Sequence, residues 1–267
     1  MNAADVHRAI APGRRIGCVM TEILTVAGLL LGGLIASEIG YRLGLIYGPK
    51  YEAFGRQFDI IRGATFALVA FLIAFSFSGA GTRYVDRGDV IVQEANALGT
   101  AWLRADVLPD AQRSALKAAI KEYTADRVVL LSSRDRPELE RLLAKVGGLH
   151  ERMWAAALAG TEGNAPLMAL VLPAVNDVID LHTTHLALAT RRLPVPILVV
   201  LLATSALSLL LVGFGNGHAG RRFPLLDGSY AIVLAVALWM TIDLDSPRQG
   251  IIQISSQPMV DALASMK

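Results

Sequence analysis

The chain has 267 residues, of which 54% are hydrophobic and 18% are charged, and its mean hydropathy is +0.48. Soluble globular domains carry about 25% charged residues, so this composition indicates several membrane spans. The formal net charge of +2 is too small to indicate nucleic-acid binding, and no basic run is interleaved with aromatic residues. The single cysteine, Cys18, excludes an internal disulfide.

The first apolar stretch, residues 16–39, predicts the first membrane helix, since about 20 apolar residues cross the hydrocarbon layer. Arg14 and Arg15 precede it as in a signal peptide, but the stretch is long and has no small-residue cleavage site. We therefore expect an uncleaved span. Gly28 and Gly32 have the four-residue spacing that lets another helix approach closely, either from the same chain or from another subunit, although glycine is also common in membrane helices.

Two opposite charges, Glu38 and Arg42, follow the first span at helical spacing. An i, i+4 pair of this kind favours a salt bridge at the membrane surface. The alternative is that these side chains belong to a charged ring at the mouth of a pore. The sequence leaves both interpretations open.

The second span organises the chain. Between Arg62 and Arg83 lie about 20 residues without a charge, which is enough for a helix to cross a hydrocarbon layer of about 30 Å. A polar segment with helical periodicity follows directly at residues 86–108. We therefore expect one helix to continue from the membrane into a soluble helical region.

The second span presents two stripes of side chains. Phe71, Phe75 and Ser78 share one face of the helix, and Thr65 and Ser76 lie on another. Either stripe can line a pore while the other packs against neighbouring helices, or both can be packing surfaces. Our hypothesis places pore-lining residues and pore-mouth charges in and around this helix. The pore-lining candidates are Thr65, Phe71, Phe75, Ser76 and Ser78, and the pore-mouth candidates are Glu38, Arg62, Arg83, Arg87 and Glu94.

Residues 83–193 predict a soluble helical domain. Apolar residues recur every three or four positions in several segments, and Pro109, residues 132–137 and residues 160–164 separate these segments. No alternating strand pattern occurs. We therefore expect a helical bundle inserted between two pairs of membrane helices.

The remaining apolar runs predict the third and fourth spans. Residues 194–214 carry no charge, whereas residues 229–242 form a full span only if residues 225–228 join them. We expect N-terminal and C-terminal membrane pairs at residues 1–82 and 194–244, and a polar tail at 245–267 that packs on the soluble domain. A small majority of Lys and Arg near the spans favours cytoplasmic termini and a cytoplasmic middle domain.

Few residues indicate catalysis or metal binding, and we expect no enzyme because the common nucleotide, hydrolase and metalloprotease motifs do not occur. His182 and His185, near Asp177 and Asp180, form a polar helix face, an interface or a weak metal site. Glu94 lies in an apolar stripe, so it needs a partner, which is either an arginine of a neighbouring helix or a cation. With Asp243 and Asp245 it could contribute oxygen ligands to Ca²⁺.

Several short segments resemble the bestrophin-like domain family of bacterial membrane proteins, a family of unknown function. The segments are Glu38-x-Gly40-x-Arg42, Gly63 at the start of the second span, residues 92–98 (Val-Gln-Glu-Ala-Asn-Ala-Leu), and the exit Asp243-Leu-Asp-Ser-Pro-Arg-x-Gly250. The resemblance implies a more distant likeness to bestrophins, which are pentameric anion channels with four spans per subunit and a helical cytosolic part. In bestrophins the second spans line the pore, and acidic residues after the last span help to bind Ca²⁺.

From the resemblance and the residues we expect an all-α membrane protein, with four transmembrane helices and a helical cytosolic domain between the second and third. We expect a homo-oligomeric ion channel in the bacterial plasma (inner) membrane, in contact with lipid and small ions and not with nucleic acid. No cofactor is expected, apart from a possible Ca²⁺ at Asp243 and Asp245. The alternative is a membrane-anchored scaffold or signalling protein whose helical domain binds a partner.

Overall fold

The structure is a computed structural model. It describes residues 13–48, 55–133, 135–246 and 250–267, and for residues 13–19 it describes the backbone only. Pro247 and Arg248 of the exit motif lie outside the described residues. Every regular element in the described ranges is helical, which confirms the all-α class. The helices are α1 (Gly13–Tyr47), α2 (Gly55–Arg104), α3 (Asp110–Ser132), α4 (Arg136–Thr161), α5 (Ala165–Thr190), α6 (Val195–His218), α7 (Pro224–Leu244) and α8 (Gln257–Ser265), with a 3₁₀ turn at Ala105–Val107.

Four stretches are long and apolar enough to cross a membrane, as predicted: Met20–Tyr47, Gly55–Val107, Ala165–His218 and Pro224–Leu244. The last of these, α7, begins at Pro224 and has 21 residues. Residues 225–228 therefore join the apolar run 229–242 in one helix, which makes it long enough for a full span. The second, α2, is a single helix of 50 residues that continues beyond its apolar part into the polar segment.

The described residues fall into two compact units. Residues 13–84 and 192–252 form one, which we call the apolar unit, and residues 85–191 and 253–267 belong to the other, which we call the bundle unit. In the bundle unit, α3, α4 and α5 pack around the end of α2, with Leu98, Ile120 and Met153 at most 1% exposed. Met259 of α8 and Met266, which follows α8, belong to the same core.

In the apolar unit, α1 and α6 meet through glycines. A Cβ atom on Gly213 would overlap the carbonyl oxygen of Ser37, and one on Gly217 would overlap that of Tyr41. Gly40 is in equally close contact with the backbone of α6 at Leu210. The two helices thus approach backbone to backbone, which only residues without side chains permit.

Within the chain, close helix packing occurs at this contact and not at Gly28 and Gly32, whereas packing of those two glycines against another subunit stays a prediction. A Cβ atom on Gly28 or Gly32 would meet nothing within 4 Å in the described chain. The seam lies further along α1 because only there does its glycine spacing face the matching spacing of Gly213 and Gly217. Spacing within one helix therefore does not identify the contact until the partner's spacing is known.

Candidate functional site

One face of α2 is uncovered in the apolar unit. The side chains of Phe71 and Phe75 are 65% and 68% exposed, and their rings stack with centroids 6.3 Å apart. Ser78 is exposed on the same side. On the opposite face Val69 is 1% exposed and packs against Leu209 and Ala231, among others, from neighbouring helices. The helix therefore presents an aromatic face to whatever surrounds the chain.

The second stripe of α2 faces inward. Ser76 is 3% exposed, so its side chain is enclosed by this chain and does not face a pore outside it. Thr65 is half-buried, and its hydroxyl donates to the carbonyl oxygen of Ile61 one turn earlier. Between the two stripes, burial thus selects Phe71, Phe75 and Ser78 as the open one.

Two of the predicted mouth charges form ion pairs near the connections at one end of the apolar helices. Glu38 binds Arg42 at 2.9 Å, which confirms the predicted i, i+4 salt bridge, and Arg222 adds a second bond at 2.9 Å. Arg62 pairs with Asp59 at 2.9 Å. Because these groups are partly exposed, the pairs contribute little to stability and remain accessible to ions.

The two aspartates at the end of α7, Asp243 in its last turn and Asp245 directly after it, are bound by donors of the apolar unit. Asp245 binds the Arg83 guanidinium at 2.7 Å and the backbone N–H of Leu193 at 2.6 Å. Asp243 is 1% exposed and accepts the N–H groups of Ile251 and Ile252 at 2.8 and 2.9 Å. The described residues contain no group of three or more His, Cys, Asp or Glu side chains placed to hold a metal ion. Calcium binding at these aspartates, which the resemblance implies, would have to displace these donors.

Arg87 binds carbonyl groups at the C-terminal end of α5. Its side chain is 3% exposed and donates to the carbonyl oxygens of Leu188 at 3.1 Å and Arg191 at 2.5 Å. The carbonyl groups at the end of an α-helix lack partners within the helix, and here Leu188 accepts both the N–H of Arg191 and this guanidinium, which also binds the carbonyl of Arg191 just after α5. Within one chain Arg87 therefore has a structural role.

Glu94 lies in the centre of the bundle unit. It is 0% exposed, and its two oxygens accept from Nε and Nη2 of Arg127 at 2.7 and 2.6 Å. Tyr123 donates its hydroxyl to the same carboxylate at 2.6 Å. Of the two partners considered from the sequence, the arginine of a neighbouring helix is the one that the structure shows. Glu94 is therefore not an open charge on the single chain.

Two histidines complete this network. Since the hydroxyl proton of Tyr123 goes to Glu94, its oxygen accepts from Nδ1–H of His182 at 3.0 Å. The ring of His150 lies 5.2 Å from that of His182 and 5.3 Å from that of Tyr123. Burial lowers the pKa of His150, with Arg127 adding to this effect and Glu94 opposing it. Burial and the nearby Glu94 charge raise the pKa of Tyr123 well above its ordinary value.

The histidine and aspartate side chains on α5 do not meet at one site. His182 and His185 are buried, whereas Asp177 and Asp180 are exposed, so the imidazoles and carboxylates lie on different faces of the helix. Asp180 accepts from the amide of Asn176 at 2.7 Å. The four side chains therefore form neither one polar face nor a shared metal site in the described chain, and His182 instead belongs to the buried network of Glu94.

Sequence reasoning missed Arg127, Tyr123 and His150. Two signals were available. Tyr123 and Arg127 are four residues apart on α3, so they share one face of that helix, and Glu94 interrupts the apolar stripe that this face has to meet. A buried carboxylate opposite a buried Tyr–Arg pair is a pattern that the sequence alone can suggest, although it does not identify which helices adjoin.

Comparison with known proteins places the chain among bestrophin-like sequences and structures. The model of the Bestrophin-like domain family matches residues 63–259. A mutant of a bacterial Bestrophin homolog from Klebsiella pneumoniae shares the fold with a TM-score of 0.65 at 14% identity, over 87% of this chain and 98% of that chain. Another structure of a bacterial Bestrophin homolog from Klebsiella pneumoniae matches with a TM-score of 0.64 at 16% identity, over 91% and 97% of the two chains. No curated protein matches the sequence.

Proposed function

Because the chain belongs to the Bestrophin-like domain family, we propose that it is one subunit of a homo-oligomeric ion channel and not an enzyme. The match covers residues 63–259, and the four apolar helices make the chain a multi-pass membrane protein. We place it in the bacterial inner membrane with its termini and bundle unit in the cytoplasm, which the small majority of Lys and Arg supports.

The uncovered aromatic face of α2 is the observation that carries this proposal. An apolar helix with one face packed inside the chain and two stacked phenylalanines outside needs a neighbour, a lumen or lipid beside it. In a ring of identical subunits the same face recurs around the axis and encloses a path. Rings of large apolar side chains gate ion flow by excluding water from a narrow passage.

The proposed pore residues follow from burial. Phe71 and Phe75 form the constriction and Ser78 lies beside it, whereas Thr65 belongs to the inward stripe and is not part of the proposed lining. Arg62 and Arg83 mark the two ends of the uncharged segment, and each is paired with a carboxylate, Asp59 and Asp245 respectively. Glu38 acts near one entrance through its pairs with Arg42 and Arg222.

The test is current through purified protein in planar bilayers, with Phe75→Ala compared with Val233→Ala. Val233 is 65% exposed on α7, so its substitution removes a similarly exposed apolar side chain from another helix. We expect Phe75→Ala to change the single-channel current or the open probability several-fold and Val233→Ala to leave both unchanged.

The mass of the detergent-solubilised particle provides the second measurement. We expect one species with a mass greater than that of a single chain for the wild type and for both variants. Silence of intact oligomers in gradients of both anions and cations would overturn the channel proposal and favour the scaffold alternative. A monomer would overturn the subunit arrangement itself.

A further inference from the structure

A cavity of about 420 Å³ lies in the apolar unit where α2 begins and α6 ends. Its lining residues come from the stretch 55–62 of α2, among them Phe58, Asp59 and Arg62, and from the stretch 214–218 of α6, where Phe214, Gly215 and His218 line it. Its volume lies in the range of about 300–1,000 Å³ that is typical of small-molecule sites. The channel proposal uses Arg62 from this wall and leaves the rest of the cavity without a role.

One side of the cavity is apolar. The rings of Phe58 and Phe214 lie 5.1 Å apart and tilted, and they join the two helices across the wall. Ile61, also in the wall, is 59% exposed. A soluble ion gains nothing from such a surface, whereas a hydrocarbon chain loses its contact with water there.

Among the described residues of the wall, Arg62 and Asp59 carry opposite charges. Nη2 of Arg62 pairs with Asp59 at 2.9 Å, and its guanidinium lies 5.6 Å from the centre of the Phe58 ring. Nη1 of Arg62 is next to Gly215, on the α6 side of the cavity. The side chain of Asp59 is 64% exposed and that of Arg62 36%, so this local pair is weak and exchanges readily for other partners.

From this geometry we propose that the cavity binds a phospholipid with a zwitterionic ethanolamine headgroup. The phosphate binds the Arg62 guanidinium, the primary ammonium group binds the Asp59 carboxylate, and the upper part of an acyl chain lies along Phe58 and Phe214. A phospholipid carries these three groups together, and the ends of apolar helices lie at the level of the headgroups. The proposal requires the chain to span a membrane but does not require conduction.

The test uses full-length protein in liposomes with phosphatidylethanolamine that bears a photoactivatable group on one acyl chain, followed by peptide mapping. We expect labelling to concentrate in the peptides that contain residues 55–62 and 214–218. A phosphatidylcholine probe with the same photoactivatable chain should label them several-fold less, because a quaternary ammonium cannot donate a hydrogen bond to Asp59.

Gly215→Leu and Gly28→Leu form a matched pair of variants. A Cβ atom on Gly215 would lie 2.7 Å from Nη1 of Arg62, the mobile end of a long side chain, so leucine fills the cavity without meeting backbone. A Cβ atom on Gly28 meets nothing within 4 Å in the described chain. Labelling should fall several-fold in Gly215→Leu and persist in Gly28→Leu. Asp59→Asn should remove the preference for ethanolamine over choline.

Even labelling of all four spans that Gly215→Leu does not change would overturn the proposal, since it would show ordinary bilayer contact. Full competition by soluble glycerophosphoethanolamine would also overturn it, because the ligand would then be a free headgroup compound rather than a lipid. Labelling that requires ethanolamine and an open cavity would establish it. Any of these results leaves the channel currents as an independent measurement.

Discussion

Glu94 and Arg127 form a two-pronged ion pair inside the bundle unit, with 0% and 1% of their side chains exposed. The pair joins α2 to α3, and the Tyr123 hydroxyl and His182 extend it to α5. Such a pair is costly to assemble away from water, but removing one partner is costlier because the other charge is left uncompensated. The stability of the bundle unit therefore depends on Glu94 and Arg127 together.

Glu94→Gln is expected to lower the free energy of unfolding by about 3–5 kcal/mol, because it leaves the buried Arg127 guanidinium without a counter-charge. Glu122→Gln is the control, since Glu122 is 36% exposed and pairs with Lys145 and Arg152 at the surface. It should cost at most about 1 kcal/mol. Chemical denaturation of the detergent-solubilised protein gives both values, and equal costs would contradict the role given to the pair.

Acidification should destabilise the bundle unit through His150. Burial lowers the pKa of His150 from its ordinary value of 6.5, so the folded chain keeps the ring neutral while the unfolded chain protonates it. The contribution of the neutral His150 ring to the free energy of unfolding is therefore fully present above pH 6.5. It is lost as the pH falls from 6.5 towards the pKa of the folded state. Unfolding temperatures across this range should fall less steeply for His150→Gln than for the wild type.

His218→Gln is the control for that series, because His218 lies in the apolar unit and not in the Glu94 network. Its pH profile should follow that of the wild type. Identical profiles for all three proteins would show that His150 is not the acid-sensitive group.

Gly213→Ala should disrupt the contact between α1 and α6. The added methyl group would overlap the backbone oxygen of Ser37, which cannot move without shifting the whole helix. Overpacking of this kind costs about 1–3 kcal/mol, and we expect a lower unfolding temperature with aggregation on size-exclusion chromatography. Gly32→Ala adds the same methyl group where nothing lies within 4 Å, and should be neutral or stabilising. A harmless Gly213→Ala would contradict the described seam.

Calcium should not raise the unfolding temperature of the wild-type protein, because Asp243 and Asp245 already accept hydrogen bonds from Ile251, Ile252, Arg83 and Leu193. The measurement is thermal unfolding in millimolar Ca²⁺ and in excess chelator. A Ca²⁺-dependent increase that Asp243→Asn abolishes would contradict this expectation and support the calcium site predicted from the resemblance. Asp243→Asn should itself destabilise the segment around Gly250, since charge-assisted bonds contribute about 1.5–3 kcal/mol each.

The helical class and the four apolar helices could be predicted because each depends on properties of a single segment. The uncharged run between Arg62 and Arg83 identifies α2 by length alone, and Pro224 supplies the start that α7 needs. The need of Glu94 for a partner is likewise visible from its neighbours, since a lone carboxylate in an apolar stripe is unstable.

Contacts between segments were not predictable in the same way. The glycines of α1 lie at suitable spacing in two places, and only the position of Gly213 and Gly217 on α6 selects Gly40 over Gly32. Similarly, periodicity gives α2 two plausible faces, and only burial by other helices shows that Ser76 turns inward while Phe75 does not. Such choices depend on pairs of helices, which a single sequence with weak apolar periodicity does not specify.

The seam between α1 and α6 also restricts how the apolar unit can move. Main chain meets main chain there, so no side-chain rotamers are available to exchange between alternative arrangements. The two helices should therefore translate and rotate together as one rigid body. Any opening movement within this unit has to take place where helices meet through side chains, as α7 does at Tyr230 and Trp239.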